Sequence, residues 1–394
     1  MLYPEKVHRA LEASLPAFKE WEARHARDME SYRQWLDRLG EMDAAEIEAR
    51  IAGLADAPGA LPSEEHGAPL VVRFGQHWSN HEEARAWAFK RIYGVTTLAV
   101  DGSQIAPSKD YSYGLAAIQV AWFENRHRGE ARDYVKDVRF ELLPLSVPAE
   151  RGEDKEQPDL DVNLRRFEAE VEQIVRHIEL WERLDPPPVV FFDGTLVASF
   201  AGPMAPRIRD RYLDSIVRML RISRDRRVPV VGFVDTSHAR DLTTLLRHLG
   251  SLPKTDRVND AHLLRGRMRW GDRTRAFVCA RDDTLRNYVR GEDDFQREIA
   301  FFYLQTTGDG PPARLDIPRW VVREGLVDHV ADVVRCEVVA GTGYPYCFEA
   351  VDAAAVLSVP DRELFYSQVQ SFCERHGMQL RLAPKAASKK RRRV

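Results

Sequence analysis

Two apolar runs in this chain finish in the same way. LAVDGSQ puts Asp101 directly after a buried-type strand, and VFFDGTL does the same with Asp193. Each aspartate is followed by glycine and a hydroxyl residue. Strand carboxyl ends are where α/β sheets present their ligands. Glycine lets the chain turn and lets a ligand come close. If the two strands are neighbours, their carboxylates converge, and two half-buried carboxylates repel and are costly to desolvate. A hard divalent cation relieves that cost, and oxygen ligands suit Mg²⁺ or Mn²⁺. The plainer reading of each motif is an Asp-Gly turn.

The surrounding pattern fits an α/β chain. Val7, Leu11, Leu15, Phe18, Trp21, Met29, Tyr32, Trp35 and Leu36 recur at helical steps through the first fifty residues, as a coiled arm or a packed hairpin. A Gly/Pro/Ala linker precedes a helix over Asn80–Ile92 capped by Asn80. Three strand-like segments then suggest an antiparallel meander. A charged loop leads to a helix over Val162–Glu182, the FFDGTL strand, a helix containing Arg209–Ile222, and the strand VPVVGFVDTSH. Residues 274–280, 299–304 and 333–339 read as further strands, and Ala350–Leu357 opens a helix. The order predicts a mixed β-sheet flanked by helices, with an N-terminal helical arm. The expected divisions are a helical region 1–60, a linker and helix 61–93, a main body 94–383 and a basic disordered tail 384–394.

Composition removes several classes of function. With 58 basic and 61 acidic residues among 394, the net charge of -3 rules out a uniformly basic nucleic-acid coat, though not a local basic groove. The four cysteines form no CxxC pair, which argues against a zinc ribbon and for reduced thiols. The charged N-terminus has no apolar signal core, and no stretch approaches a membrane span of about 20 apolar residues, so a cytoplasmic location is expected. P-loop, zincin and GxSxG motifs are absent.

The 162–182 helix can bring a third carboxylate. Leu164, Phe167, Val171, Ile174, Val175 and Ile178 form its apolar face. Glu168 lies at the edge of that face and Glu172 one turn on, whereas Glu170 points away. Asp235 could be a ligand, but a helix cap is the favoured role.

With VDGSQ, FFDGTL and AGTGYPYCFEAVDAAAVL in this order, together with EEARAWAFKRIYG, VVGFVDTSHARDL and LLRGRMRWGDRTRAFV, the chain resembles the NurA family of nucleases over most of its length. The resemblance implies an RNase H-like core in the main body and a homodimer. It also implies Mn²⁺-dependent 5′→3′ exonuclease and single-strand endonuclease activity on DNA. A HerA-type hexameric translocating ATPase would be the partner in double-strand-break end resection. The family's two aspartates match Asp101 and Asp193. Its helical glutamate falls on Glu168, with Glu172 as the alternative, and its late tyrosine matches Tyr344. Asp352 stands where the family often has a histidine, which suggests an all-carboxylate site, because aspartate cannot serve as a neutral imidazole base.

The expected mechanism is two-metal phosphodiester hydrolysis, with Asp101, Glu168, Asp193 and Asp352 as ligands of two Mn²⁺ or Mg²⁺ ions. The Arg207–Arg211, Arg224–Arg227 and Arg265–Arg275 segments are candidate phosphate contacts. Arg207, Arg209 and Arg211 lead these, with Tyr212 and Trp270 as stacking platforms. The basic tail could bind DNA or dock the ATPase. Two other readings stay open: a catalytically weak adaptor of the translocase ring, and a small-molecule phosphohydrolase.

Overall fold

The computed structural model describes residues 2–107, 115–130, 133–144, 158–181, 184–291 and 293–378. The basic tail and most of the charged loop before the 162–182 helix lie outside them. The chain divides into two compact units, each discontinuous in sequence. One takes the residues up to His77 together with Phe233–Ala331. The other takes Trp78–Gly232 together with the residues from Asp332 on.

In the first unit, helices Pro4–Glu41 and Ala44–Ile51 accompany an antiparallel set of strands. Their order is Gly59–Pro62, Phe277–Ala280, Ile299–Leu304 and Ala313–Pro318. The apolar stripe expected along the N-terminus is used only in its second half. Met29, Tyr32, Leu36 and Leu39 are buried, while Val7, Leu11, Leu15, Phe18 and Trp21 are exposed. Residues 274–280 hold parts of two short strands, broken at Arg275–Ala276, and 299–304 is a single strand. Asp235 does not cap the helix that follows it. That helix begins at Asp241, and its first free N–H groups, from Leu242 and Thr243, donate to the Asp260 carboxylate at 2.9 and 2.8 Å.

The second unit is where the two aspartate motifs fall. Its elements are α1 (His81–Ile92), β1 (Thr97–Ile105), β2 (Leu115–Asn125), β3 (Tyr134–Pro144), α2 (Pro158–Leu180), β4 (Val189–Asp193) and α3 (Pro206–Arg226). The series ends with β5 (Val230–Val234), α4 (Val327–Ala340), α5 (Tyr346–Ala355) and α6 (Val359–Arg375). The boundary between the units passes within β5 and again within α4. Asn80 caps α1 as expected, its side chain accepting from Glu83 N at 3.0 Å. β1, β2 and β3 form the antiparallel meander, and β4 lies beside β1 in parallel. The sheet is therefore mixed. Helix α2 packs on β1 and β2, and also on α3, while α5 packs on β1 to β4.

Residues 333–339 are not a strand but the second half of α4. Their β-branched composition suggested extended chain. Val327, Val330, Ala331, Val334 and Val338 nevertheless recur at three- and four-residue steps and are all buried. Burial of such side chains, at about 1.5–3 kcal/mol each, outweighs a helix-propensity penalty of a few tenths of a kcal/mol per valine.

Candidate active site

The register of β1 and β4 settles whether the two aspartates meet. Thr97 pairs with Val189 and Val100 with Phe192, so the next residue on each strand is an aspartate, and Asp101 and Asp193 stand side by side. Adjacent strands lie about 4.8 Å apart. The two Asp-Gly steps then diverge. β4 ends, and Gly194 takes a φ of 122°, open to glycine and strained for any other residue. β1 does not end. It continues through Gly102 to Ile105, still paired with β2. The expected turn at Gly102 is absent because the antiparallel partner carries the ladder onward.

Alternation along the strands sorts the side chains between two faces. Phe191 meets Phe348 of α5, and Ser103 Oγ accepts from Leu357 N, just beyond α5, at 3.3 Å. Asp101 and Asp193 share that face. Phe192 meets Phe167 of α2, and Gln104 bonds to Asn163 of α2, so Gly102 faces α2. A Cβ on Gly102 would collide with Glu170 Oε1 and would lie 2.9 Å from Arg166 Cγ. The glycine is a window in the sheet, and Glu170 comes up to it from behind.

Helix α5, which carries Asp352, is fixed by the buried Glu337 of α4. Glu337 accepts from Cys347 N, in the first turn of α5, at 3.0 Å and from Thr97 Oγ1 of β1 at 3.1 Å. Asp352 is solvent-exposed, and Asp193 opens to solvent at the end of its strand. The four carboxylates form one electrostatic group. Burial raises Asp101, and Asp352 adds to the rise, while the Gly102 N–H and Arg166 oppose it. Asp193 is raised by partial desolvation first and then by Asp101 and Asp352. Glu170 is pushed up to about 7 by burial, against the pull of Arg166, with Asp101 and Asp193 pushing further. Arg166 is the cation common to all three. Its Nη1 donates to Glu170 Oε1 at 2.6 Å and to Gly102 O at 2.9 Å.

Neither glutamate expected as the helical ligand turns to the two aspartates. Glu168 turns to α3, where Arg211 donates to both of its oxygens at 2.7 Å. Glu172 accepts from Arg165 at 2.7 Å. Glu170, expected to point away, is the glutamate at the two aspartates. Helix α2 turns two stripes toward its neighbours. The apolar one is plain in the sequence, but Asn163, Arg166, Glu170, Gln173 and His177 form a second, polar one at steps of three, four, three and four. Its members meet Gln104, Gly102 and Trp122 of β1 and β2. That spacing is the signal from which Glu170 could have been found.

As the side chains stand, no three His, Cys, Asp or Glu among the described residues are gathered closely enough to hold a metal ion. Tyr344 packs its ring 5.7 Å from that of Phe348. Arg207 and Arg209 lie near Asp161 and Asp210, at 3.4 and 3.2 Å, and Arg211 is engaged by Glu168. The ring of Tyr212 is buried against Phe167 and Phe200. Trp270 belongs to the other unit, edge-on to Phe74. In its segment Arg273 and Arg275 are buried, the first held by Glu65 and Asp328 and the second by backbone carbonyls, so neither is a surface phosphate contact. All four cysteines are buried free thiols. No described helix is long and apolar enough to cross a membrane.

Comparison with known proteins returns one family. A NurA domain matches residues 95–357, a range that takes in Asp101, Glu170, Asp193, Tyr344 and Asp352. No curated protein matches the chain. The NurA family comprises nucleases of DNA repair, and since its domain covers well over half of the sequence, this chain belongs to the NurA family.

Proposed function

We propose that the chain is a divalent-metal-dependent deoxyribonuclease whose site is formed by Asp101, Asp193, Glu170 and Asp352. The observation that carries the reading is the parallel β1–β4 register, which sets Asp101 beside Asp193 at the site where Glu170 and Asp352 add their charge. The donor set consists of carboxylate oxygens alone, which fits a hard cation such as Mn²⁺ or Mg²⁺. What a bound cation supplies there is acidification of the attacking water and neutralisation of charge on the phosphate.

The chain's own residues do the rest. Asp101, held by its bond from Gly102 N at 2.8 Å, offers its other oxygen. Asp193 and Asp352 open the site to solvent, where a phosphodiester can approach. Arg207 and Arg209, on the α3 face, are suited to hold the strand's phosphates. Family membership supports an RNase H-like core, 5′→3′ exonuclease with single-strand endonuclease action, a homodimer, and a HerA-type hexameric translocase as partner in end resection.

The test is degradation of linear double-stranded and single-stranded DNA in Mn²⁺, alone and with the translocase. Asp101→Asn combined with Asp193→Asn is expected to lower turnover by about a thousandfold while DNA affinity stays within a few-fold. Full activity in that variant sinks the proposal. Wild-type protein that binds the translocase and never cuts would instead be an adaptor of the ring.

A further inference from the structure

Four carboxylates converge around Gly102, yet no three of them are set to receive an ion. One of them, Glu170, is held apart from the others by Arg166. Its guanidinium bridges Glu170 Oε1 and the Gly102 carbonyl, on the α2 side of the sheet, while Asp101 and Asp193 point to the α5 side. The Arg166 Nε is buried without a hydrogen-bond partner, so the side chain gives up part of its own bonding to hold this position. A positive charge here also opposes any second cation drawn to the same acids, since Coulomb repulsion grows as water is excluded.

We propose that Arg166 is a positioning residue that acts as a resident counter-ion: it holds Glu170 behind the Gly102 window, and a divalent cation binds by taking Glu170 from it. This rests on the metal-dependent reading above. The exchange is one of partners only. The Glu170–Arg166 ion pair opens, the carboxylate turns to the ion, and Arg166 keeps its bond to the Gly102 carbonyl.

Calorimetric titration of the metal-free full chain with MnCl₂, paired with thermal unfolding in chelator and in saturating MnCl₂, tests this without measuring cleavage. Arg166→Met is expected to tighten the Mn²⁺ dissociation constant at least threefold. It is also expected to unfold at lower temperature than wild type in chelator, with the gap closing in Mn²⁺. Arg166→Lys, which keeps the charge but loses the guanidinium bridge, is expected to tighten it about twofold and decides the matter if the methionine variant does not fold. A dissociation constant unchanged or weakened in the variants, or a thermal deficit that Mn²⁺ leaves untouched, makes Arg166 a plain structural strut and overturns the exchange alone. A wild-type chain that takes up no Mn²⁺ overturns the exchange and the metal-dependent reading together.

Discussion

Each unit of the molecule gathers a cluster of acids, and the two clusters are solved differently. In the first unit Asp241, wholly enclosed, is gripped by Arg281 and Arg314, and Arg314 also holds Asp316 while lying 4.1 Å from the centre of the Phe301 ring. Although burial alone would raise Asp241, the two guanidiniums bring it down to about 2. In the second unit the acids around Gly102 have Arg166 as their shared cation, and Glu170 rises to about 7. A cluster whose acids are gripped by guanidiniums and by N–H and O–H donors is finished as a piece of architecture. One left short of positive charge is suited to a cation from solution.

The sharpest way to break this contrast is to unbalance the finished cluster. Arg314→Met leaves Asp241 and Asp316 with an uncompensated buried charge and is expected to cost about 3–5 kcal/mol, read as a lowered urea midpoint that no divalent ion restores. Next is pH. Glu170 is raised on folding, so its contribution to stability is fully present below its ordinary carboxylate range and is lost as pH climbs to about 7, a change of up to about 3 kcal/mol. Asp241 is lowered, so its contribution is present above its ordinary range and is lost as pH falls toward 2. Unfolding of the metal-free protein between pH 5 and 8 should therefore show falling stability on the alkaline side, and saturating Mn²⁺ should flatten the slope. A pH-independent stability in chelator contradicts the shortage of positive charge.

Two smaller effects sharpen the site itself. Glu170→Gln is expected to reduce DNA cleavage by about a hundredfold, whereas Glu168→Gln, which only loosens α2 from α3, should stay within about threefold of wild type. Equal losses would return Glu168 to the ligand set. Gly102→Ala and Gly194→Ala should each cost on the order of 1 kcal/mol, but for different reasons. The first displaces Glu170 and should weaken Mn²⁺ binding. The second strains a turn at positive φ and should register mainly as stability.

Much of this is legible in the residues. Asp101 and Asp193 can be found because each follows an apolar run long enough to be buried, and burial fixes which end of the strand meets solvent. The meander is legible from three apolar strand-like segments with short polar breaks between them. Glu170 is hidden because apolar periodicity marks only one buried face of α2, while the polar stripe through Asn163, Arg166 and Gln173 is packed against the sheet as well. The α4 segment is hidden because its β-branched composition masks its three- and four-residue spacing. Asp260 as the cap of a helix that begins nineteen positions earlier, at Asp241, has no local signal at all. The division into two interleaved units is equally silent, since contacts between residues far apart in sequence create it.

That interleaving has a consequence for synthesis. The unit bearing the acids is interrupted by residues 233–331, and α5 follows the interruption. Asp101, Glu170 and Asp193 leave the ribosome first, and Asp352 emerges 159 residues after Asp193. A nascent or prematurely terminated polypeptide thus carries three of the acids without the helix that brings the fourth. On the metal-dependent reading proposed above, hydrolysis of DNA would be withheld until α5 has been made.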